Sequence, residues 1–260
     1  MKNYIKLCSC LLLLLGLSCA SGWRHAQQDQ GIMSQLLMGS SVFIEDEVIN
    51  EEIALPQEKL NGQISTHIKG ALVMQNCIVE RDFLFENKQG GRIVWEGDVV
   101  LVNCVFEKGF RLNDGVFRGQ VKIVNCTFFG DMDLQRSEFR GGLRVEDNQI
   151  GRDMIGQYSR TLGDLHAMSN EVGGNIRLQG LTVGGQSHFS NTVALGSLDM
   201  SKGHFHQSVF MNYMNVKGKA LLTSSFFHED LVVEYWKGNP SLQTRGSKIY
   251  GDFIESRKEN

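Results

Sequence analysis

Proline is almost absent from this sequence, and charges of one sign never form long runs. Only 2 of the 260 residues are proline, whereas 29 are glycine. Because proline cannot donate to a hydrogen-bonded ladder, this imbalance favours tight corners within continuous sheet. The formal net charge is -3 and the pI about 6.2, which gives no reason to expect a nucleic-acid partner.

A membrane-spanning run is also missing, although the N-terminus is apolar. Lys2 and Lys6 precede the apolar stretch 7–17, which is much shorter than the roughly 20 residues that a spanning helix needs. A charged start followed by a short apolar run is typical of an export signal. The sequence therefore predicts a signal peptide over residues 1–18 and an exported protein.

The end of this signal, residues 15–19, resembles a bacterial lipobox. The resemblance implies cleavage before Cys19, lipidation of that residue and a membrane attachment in the bacterial cell envelope, at the periplasmic or the surface face of the outer membrane. Gly16 stands where leucine is commonest in a lipobox, and residues 18–20 also suit ordinary signal peptidase. A soluble periplasmic or secreted protein is therefore the alternative.

An eleven-residue repeat fills most of the remaining chain. Its units read apolar, any, apolar, any, any, small, any, apolar, as in Met132 to Phe139 and in Leu143 to Ile150. The apolar alternation is the period of a strand, and the many glycines disfavour the helical supercoil that such a period otherwise permits. Steps of six and five residues alternate between the main apolar positions, which predicts coils of four short faces and 22 residues.

Segments such as 126–134 and 137–145 resemble the Phe-rich subgroup of the pentapeptide repeat family, and the similarity extends over roughly residues 61–254. The resemblance implies an all-β fold, a right-handed parallel β-helix with four sides. Two features depart from the family: its Asp or Asn before the central residue is mostly absent, and six-residue steps alternate with five. A three-sided β-helix of the polysaccharide-lyase type is the alternative, whereas leucine-rich repeats need a longer unit.

These patterns divide the chain into four parts. A linker and N-terminal cap, with a helix within residues 27–38, follow the signal over 19–60. The β-helix domain covers 61–254, and a polar tail covers 255–260.

Residues 22 apart lie above one another in such a coil, so the sequence becomes a map of columns. Cys104 and Cys126 are neighbours at a small inward position, which indicates buried, unreactive thiols or, alternatively, a disulfide. Asn103 and Asn125 predict an amide ladder at a corner. A basic stripe is a candidate anion site for a carboxylated glycan or lipid headgroup, or else a solvated face balanced by acids. It contains Arg118, Lys122, Arg140, Arg144, His166 and His188.

Apolar residues at outward positions gather in the last coils and predict an interface. The pentapeptide repeat resemblance implies a homodimer formed through these terminal coils. The predicted patch contains Phe210, Leu221, Phe226, Val232 and Trp236.

Motifs for catalysis or metal binding are missing. The sequence contains no HExxH, GxSxG, CxxC or phosphate-binding loop, and no cofactor or metal is expected. The sequence therefore predicts a non-catalytic repeat scaffold or binding module of the cell envelope, with an unknown envelope protein or glycan as its partner. The alternative is a secreted carbohydrate-active β-helix that acts on acidic polysaccharide, using the loose cluster Asp131, Arg152, Asp153 and His166.

Overall fold

The computed structural model describes residues 24–25, 31–55, 66–86, 92–238 and 242–256. Short β-strands make up nearly all of the regular structure there, and each strand pairs in parallel with strands one coil away. The chain is therefore an all-β solenoid, as the sequence predicted. Four sheets form its four faces, named here face 1 to face 4 in chain order.

The first two faces contain eleven and nine strands. Face 1 consists of Arg24–His25, Val42–Glu45, Leu72–Gln75, Val99–Val102, Val121–Val124, Leu143–Glu146, Leu165–His166, Ser187–His188, Val209–Phe210, Leu231–Glu234 and Phe253–Ser256. Face 2 consists of Val48–Ile49, Ile78–Val79, Val105–Phe106, Thr127–Phe128, Gln149–Ile150, Glu171–Val172, Val193–Ala194, Asn215–Val216 and Lys237–Gly238.

The other two faces contain nine strands each. Face 3 consists of Ile53–Ala54, Phe83–Phe85, Phe110–Leu112, Met132–Asp133, Met154–Ile155, Ile176–Arg177, Leu198–Asp199, Ala220–Leu221 and Leu242–Gln243. Face 4 consists of Thr66–Ile68, Ile93–Trp95, Gly115–Phe117, Glu138–Phe139, Arg160–Thr161, Thr182–Val183, His204–Phe205, Phe226–Phe227 and Lys248–Ile249.

The register confirms the length of the coil. Phe106 pairs with Phe128 and Phe128 pairs with Ile150, so these three residues form one vertical row. The stacked corner residues Asn103 and Asn125 are 22 apart in sequence. Columns read from the sequence at this spacing are therefore real columns of the molecule.

The interior is filled by stacked apolar side chains. The rings of Phe106 and Phe128 are parallel within 4°, with centroids 4.9 Å apart, and Phe117 stacks on Phe139 at 5.2 Å. All four rings are buried. A single coil cannot bury such a ring, because its faces are covered by side chains of the coils above and below. Stability is therefore a sum over neighbouring coils.

Corner residues carry a left-handed backbone and form a ladder of their own. Asn76, Asn103 and Asn125 have φ values of 54°, 55° and 53°, a conformation that asparagine tolerates better than most residues. Nδ2 of Asn125 donates to Oδ1 of Asn103 at 2.8 Å, and Nδ2 of Asn103 donates to Oδ1 of Asn76 at 3.0 Å. The amide ladder predicted at this corner is confirmed.

The solenoid begins earlier than predicted. After the edge strand Arg24–His25, its successive coil strands start at Val42–Glu45, before the predicted boundary at residue 61. The boundary was missed because Asp46 and Asn76, which stack at one corner, are 30 residues apart, and this interval breaks the eleven-residue frame. Helix Ile32–Leu37 lies within the predicted helical stretch and buries Ile32 and Leu36 against the first coil. The helix therefore covers the N-terminal end of the apolar interior.

Candidate functional site

The three described cysteines form the predicted inward column. Cys77, Cys104 and Cys126 are buried and free, so the disulfide considered from the sequence is not formed in this structure. The hydrogen bond with Cys126 and burial raise the pKa of Cys104 to about 12. A thiol with so high a pKa contains little of the reactive thiolate at neutral pH. The hydrogen bond with Cys104 lowers the pKa of Cys126 instead, but that thiol is buried as well. Burial of all three thiols favours a structural role for this column.

The outward column of the predicted basic stripe lies in register. Lys122 pairs with Arg144, Arg144 with His166, and His166 with His188 along face 1. Its arginines, however, are already matched by acids from the same or the neighbouring coil. The ion pairs are Arg118–Glu96 at 2.9 Å, Arg140–Glu138 at 2.6 Å and Arg144–Glu146 at 2.6 Å. The stripe is thus a balanced face rather than an open cationic surface, because acids compensate the charge of all three arginines.

Two histidines continue this column as a ring stack. The centroids of His166 and His188 are 5.1 Å apart, and His188 stacks on Phe210 at 4.9 Å. Burial, and next the nearby His166, lower the pKa of His188, while Asp164 and Glu146 act in the opposite direction. The neutral form of His188 is therefore favoured in the folded state.

This pKa shift predicts a pH dependence of stability. Between the lowered folded pKa and the unfolded value of about 6.5, the unfolded chain binds more protons at His188. The free energy of unfolding should therefore fall as pH decreases below about 6.5. His188→Gln is expected to flatten this slope when urea unfolding is measured from neutral to mildly acidic pH. A slope unchanged from the wild type would contradict the assignment.

The predicted dimer patch is not one surface. Phe210 and Val232 lie on face 1, whereas Leu221 lies on face 3 and Phe226 on face 4. Residues eleven apart are half a coil apart, which places Phe210 and Leu221 on opposite faces. Trp236 occupies the inward column of the cysteines and packs against the core, with its indole N–H donating to the carbonyl of Met211.

The loose catalytic cluster is not assembled either. Asp131 and Arg152 line one hollow at the corner between face 2 and face 3. Asp153 is held by Arg177, with Nη2 and Oδ2 2.6 Å apart, and His166 lies on face 1. An acid and a base facing one substrate are thus not brought together by these four side chains.

Sequence reasoning missed the surface feature that stands out most, an aromatic side chain at this same corner. Phe129 follows strand Thr127–Phe128 and is 60% exposed, although Phe128 beside it is 1% exposed. The next two residues in its column are Gly151 and Gly173, which leave the edge of the rod bare as far as Leu195. One face of the Phe129 ring therefore has no side chain stacked on it from its own column.

Phe129 separates two depressions. A shallow groove of about 520 Å³ runs along face 2 past Gly151 and Gly173 to Leu195. A more polar hollow of about 320 Å³ lies on the face 3 side. The lining of this hollow includes Glu107, Lys108, Phe129, Gly130, Asp131 and Arg152.

Gly130 leaves the hollow open although the packing does not require glycine there, in contrast to Gly151. A Cβ at Gly151 would lie 2.6 Å from the carbonyl oxygen of Phe129, so that position needs glycine. A Cβ at Gly130 would approach nothing closer than the carbonyl oxygen of Lys108, at 3.7 Å. Space therefore remains between Lys108 and Arg152, which lie two coils apart on either side of Gly130.

Unpaired cations and acceptors line this hollow together. Within the described residues neither Lys108 nor Arg152 has an ion-pair partner. Asp131 accepts the backbone N–H of Asp153 at 2.9 Å through one oxygen, and Glu107 is exposed beside Phe129. Ammonium and guanidinium groups only donate and carboxylates only accept, so both kinds of hydrogen-bonding group border one aromatic ring.

Comparison with protein-family models, curated proteins and solved structures gave no match. The solenoid fold is thus established by the geometry of the chain, and membership of the pentapeptide repeat family stays a prediction. Among the described residues, no helix is long and apolar enough to cross a membrane, and no three His, Cys, Asp or Glu side chains gather as metal ligands would.

Proposed function

We propose that this chain is a non-catalytic binding module of the bacterial cell envelope, anchored through a lipid on Cys19. Cys19 lies outside the described residues, and its role rests on the lipobox resemblance. The observation that carries the binding role is the corner around Phe129. There an exposed ring borders one hollow together with two cations that have no ion-pair partner among the described residues, and with carboxylate acceptors.

A rigid ladder suits this role. The strands on either side of the corner, Thr127–Phe128 and Met132–Asp133, are each hydrogen-bonded to a coil above and a coil below. The backbone of such a scaffold is held in place before a ligand arrives, which lowers the entropic cost of binding. The arginines of the basic stripe are engaged with acids, as at Arg118 and Glu96. The corner instead combines an exposed aromatic ring with cations that have no ion-pair partner among the described residues.

The binding role is tested by co-sedimentation with isolated envelope fragments in a Cys19→Ala background, which removes the proposed lipid so that only the surface of the rod can bind. Protein that is otherwise wild type is expected to sediment with the fragments, and Phe129→Ala to remain largely in the supernatant. Leu195→Ala is the matched control, because Leu195 is also 60% exposed and lies in the same column. Equal sedimentation of both variants, or none by the wild type, would overturn the proposal.

The lipid anchor is tested separately by metabolic labelling with a palmitate analogue. Labelled protein is expected in the membrane fraction, whereas Cys19→Ala should carry no label and shift to the soluble fraction. More than one acyl chain gives stable anchoring where a single chain is marginal. Label retained by Cys19→Ala would exclude lipidation at this residue and favour the soluble periplasmic or secreted alternative.

A further inference from the structure

We infer that the hollow beside Phe129 is a subsite for a neutral sugar ring of a glycan chain. This inference rests on the proposed binding function and adds the chemical class of the ligand. It depends on three observations: the charge balance of the hollow, the exposed face of Phe129, and the opening at Gly130.

Charge balance selects against a strongly ionic ligand. The lining contains three cations and three carboxylates: Lys108, Arg111 and Arg152, and Glu107, Asp131 and Asp133. Arg111 is already paired with Glu86 at 3.2 Å. An anionic ligand would be attracted by the cations and repelled by the carboxylates. A cationic ligand would be attracted by the carboxylates and repelled by the cations. A hydroxyl both donates and accepts, so a neutral polyhydroxylated ring can use both groups at once.

The hydrogen-bonding atoms that are still free in this lining suit such a ring. Asp133 is already engaged, since its carboxylate accepts from Nδ2 of Asn113 at 2.9 Å and from the backbone N–H of Gln135 at 3.2 Å. Glu107 and the second oxygen of Asp131 are left as acceptors, and Lys108 and Arg152 as donors. The hollow thereby offers acceptors and donors to several hydroxyls on one ring.

Phe129 supplies the apolar part of the contact. One face of a pyranose ring presents C–H groups, which pack on the electron-rich face of an aromatic ring. Lys108 and Arg152 lie two coil spacings apart, roughly 10 Å between backbones at about 4.8 Å per coil. Arg152 belongs to the same coil as Gly151, on the side of the uncovered face of Phe129, and Gly130 places no side chain between Arg152 and Lys108.

Calorimetric titration of the exported protein tests this inference with three defined probes. The probes are hexamers of glucose, of N-acetylglucosamine and of galacturonate. At least one neutral hexamer is expected to bind with an affinity that hardly changes between low and high salt, because no net charge is neutralised. Phe129→Ala and Arg152→Met should each weaken that binding about tenfold or more.

Two control variants separate the subsite from general surface effects. Leu195→Ala and Lys217→Met change an exposed apolar residue and an exposed cation in the same column as Phe129. Both should bind the neutral hexamer as the wild type does. A loss equal to that of Phe129→Ala would overturn the assignment of the site.

The outcomes also separate this inference from the proposed function. Tighter, salt-sensitive binding of the galacturonate hexamer would overturn the neutral class. Failure of all three probes to bind, while co-sedimentation with envelope fragments still depends on Phe129, would overturn a sugar ligand and leave the binding role standing. Failure of the co-sedimentation itself would overturn the proposed function.

Discussion

Phe128→Ala is expected to lower the free energy of unfolding by about 3–5 kcal/mol. The side chain of Phe128 is 1% exposed and stacks on Phe106 with centroids 4.9 Å apart. It also meets the ring of Phe110 at 4.8 Å, with an angle of 65° between the planes. Truncation removes contacts with both rings and leaves a cavity between coils, which the hydrogen-bonded ladders on either side cannot close.

The neighbouring residue provides the control for this prediction. Phe129 is 60% exposed, and Phe129→Ala should change the free energy of unfolding by no more than about 0.5 kcal/mol. Urea unfolding followed by circular dichroism measures both variants. Similar losses of stability would show that the two side chains do not point to opposite sides of the wall. The same pair separates stability from binding, since Phe129→Ala is the variant expected to lose envelope binding.

The coil length could be predicted from the sequence because every coil must place apolar side chains of similar size at the same inward positions. Phe106 can pack on Phe128 only if the number of residues per coil stays constant. This constant number appears in the sequence as a period. The 27-residue interval between Asn76 and Asn103 can still be recognised as one coil with five added residues. The 30-residue interval between Asp46 and Asn76 precedes the first recognised unit, so it keeps the column but leaves no visible period.

The same map contained two results that sequence reasoning did not use. Arg118 and Glu96 are 22 apart, so their ion pair follows from the spacing that defined the basic stripe. Phe210 and Leu221 are half a coil apart, so the spacing also excludes a single dimer patch. Other pairs follow a different rule, since Arg140 reaches Glu138 along its own strand. The 22-residue spacing predicts which residues of adjacent coils are neighbours. It does not predict contacts between residues of the same coil.

The Phe129 corner was missed for a different reason. In the sequence, Phe128 and Phe129 are identical neighbours. The repeat places Phe128 at an inward position and assigns no position to Phe129. Whether the second is covered depends on its column, where Gly151 and Gly173 follow at the coil spacing. Two glycines above an aromatic residue in one outward column are a signal that the sequence does contain. The unpaired state of Lys108 and Arg152 cannot be read in this way, because it depends on side-chain positions.

Gly141→Ala is expected to destabilise the solenoid by about 1–3 kcal/mol, or by more if the coils cannot separate. A Cβ at Gly141 would lie 2.5 Å from both the carbonyl carbon and the carbonyl oxygen of Gly119 in the coil below, and 2.8 Å from the amide nitrogen of Gln120. All three atoms belong to backbone that is fixed by ladders on both sides. Relief therefore requires a local increase in coil spacing, which weakens the hydrogen bonds of face 1.

Gly130→Ala is the matched control, since the same chemical change meets only one atom, at 3.7 Å. Without a clash, replacing glycine by alanine reduces the conformational entropy of the unfolded chain and should leave stability unchanged or raise it by about 0.4–1 kcal/mol. Urea unfolding of the two variants compares one added methyl group in two corners of the same rod. Equal effects would mean that close approach of the coils does not explain the glycine content. Opposite effects would establish that glycine at 141 serves the packing, whereas glycine at 130 is free to serve the hollow.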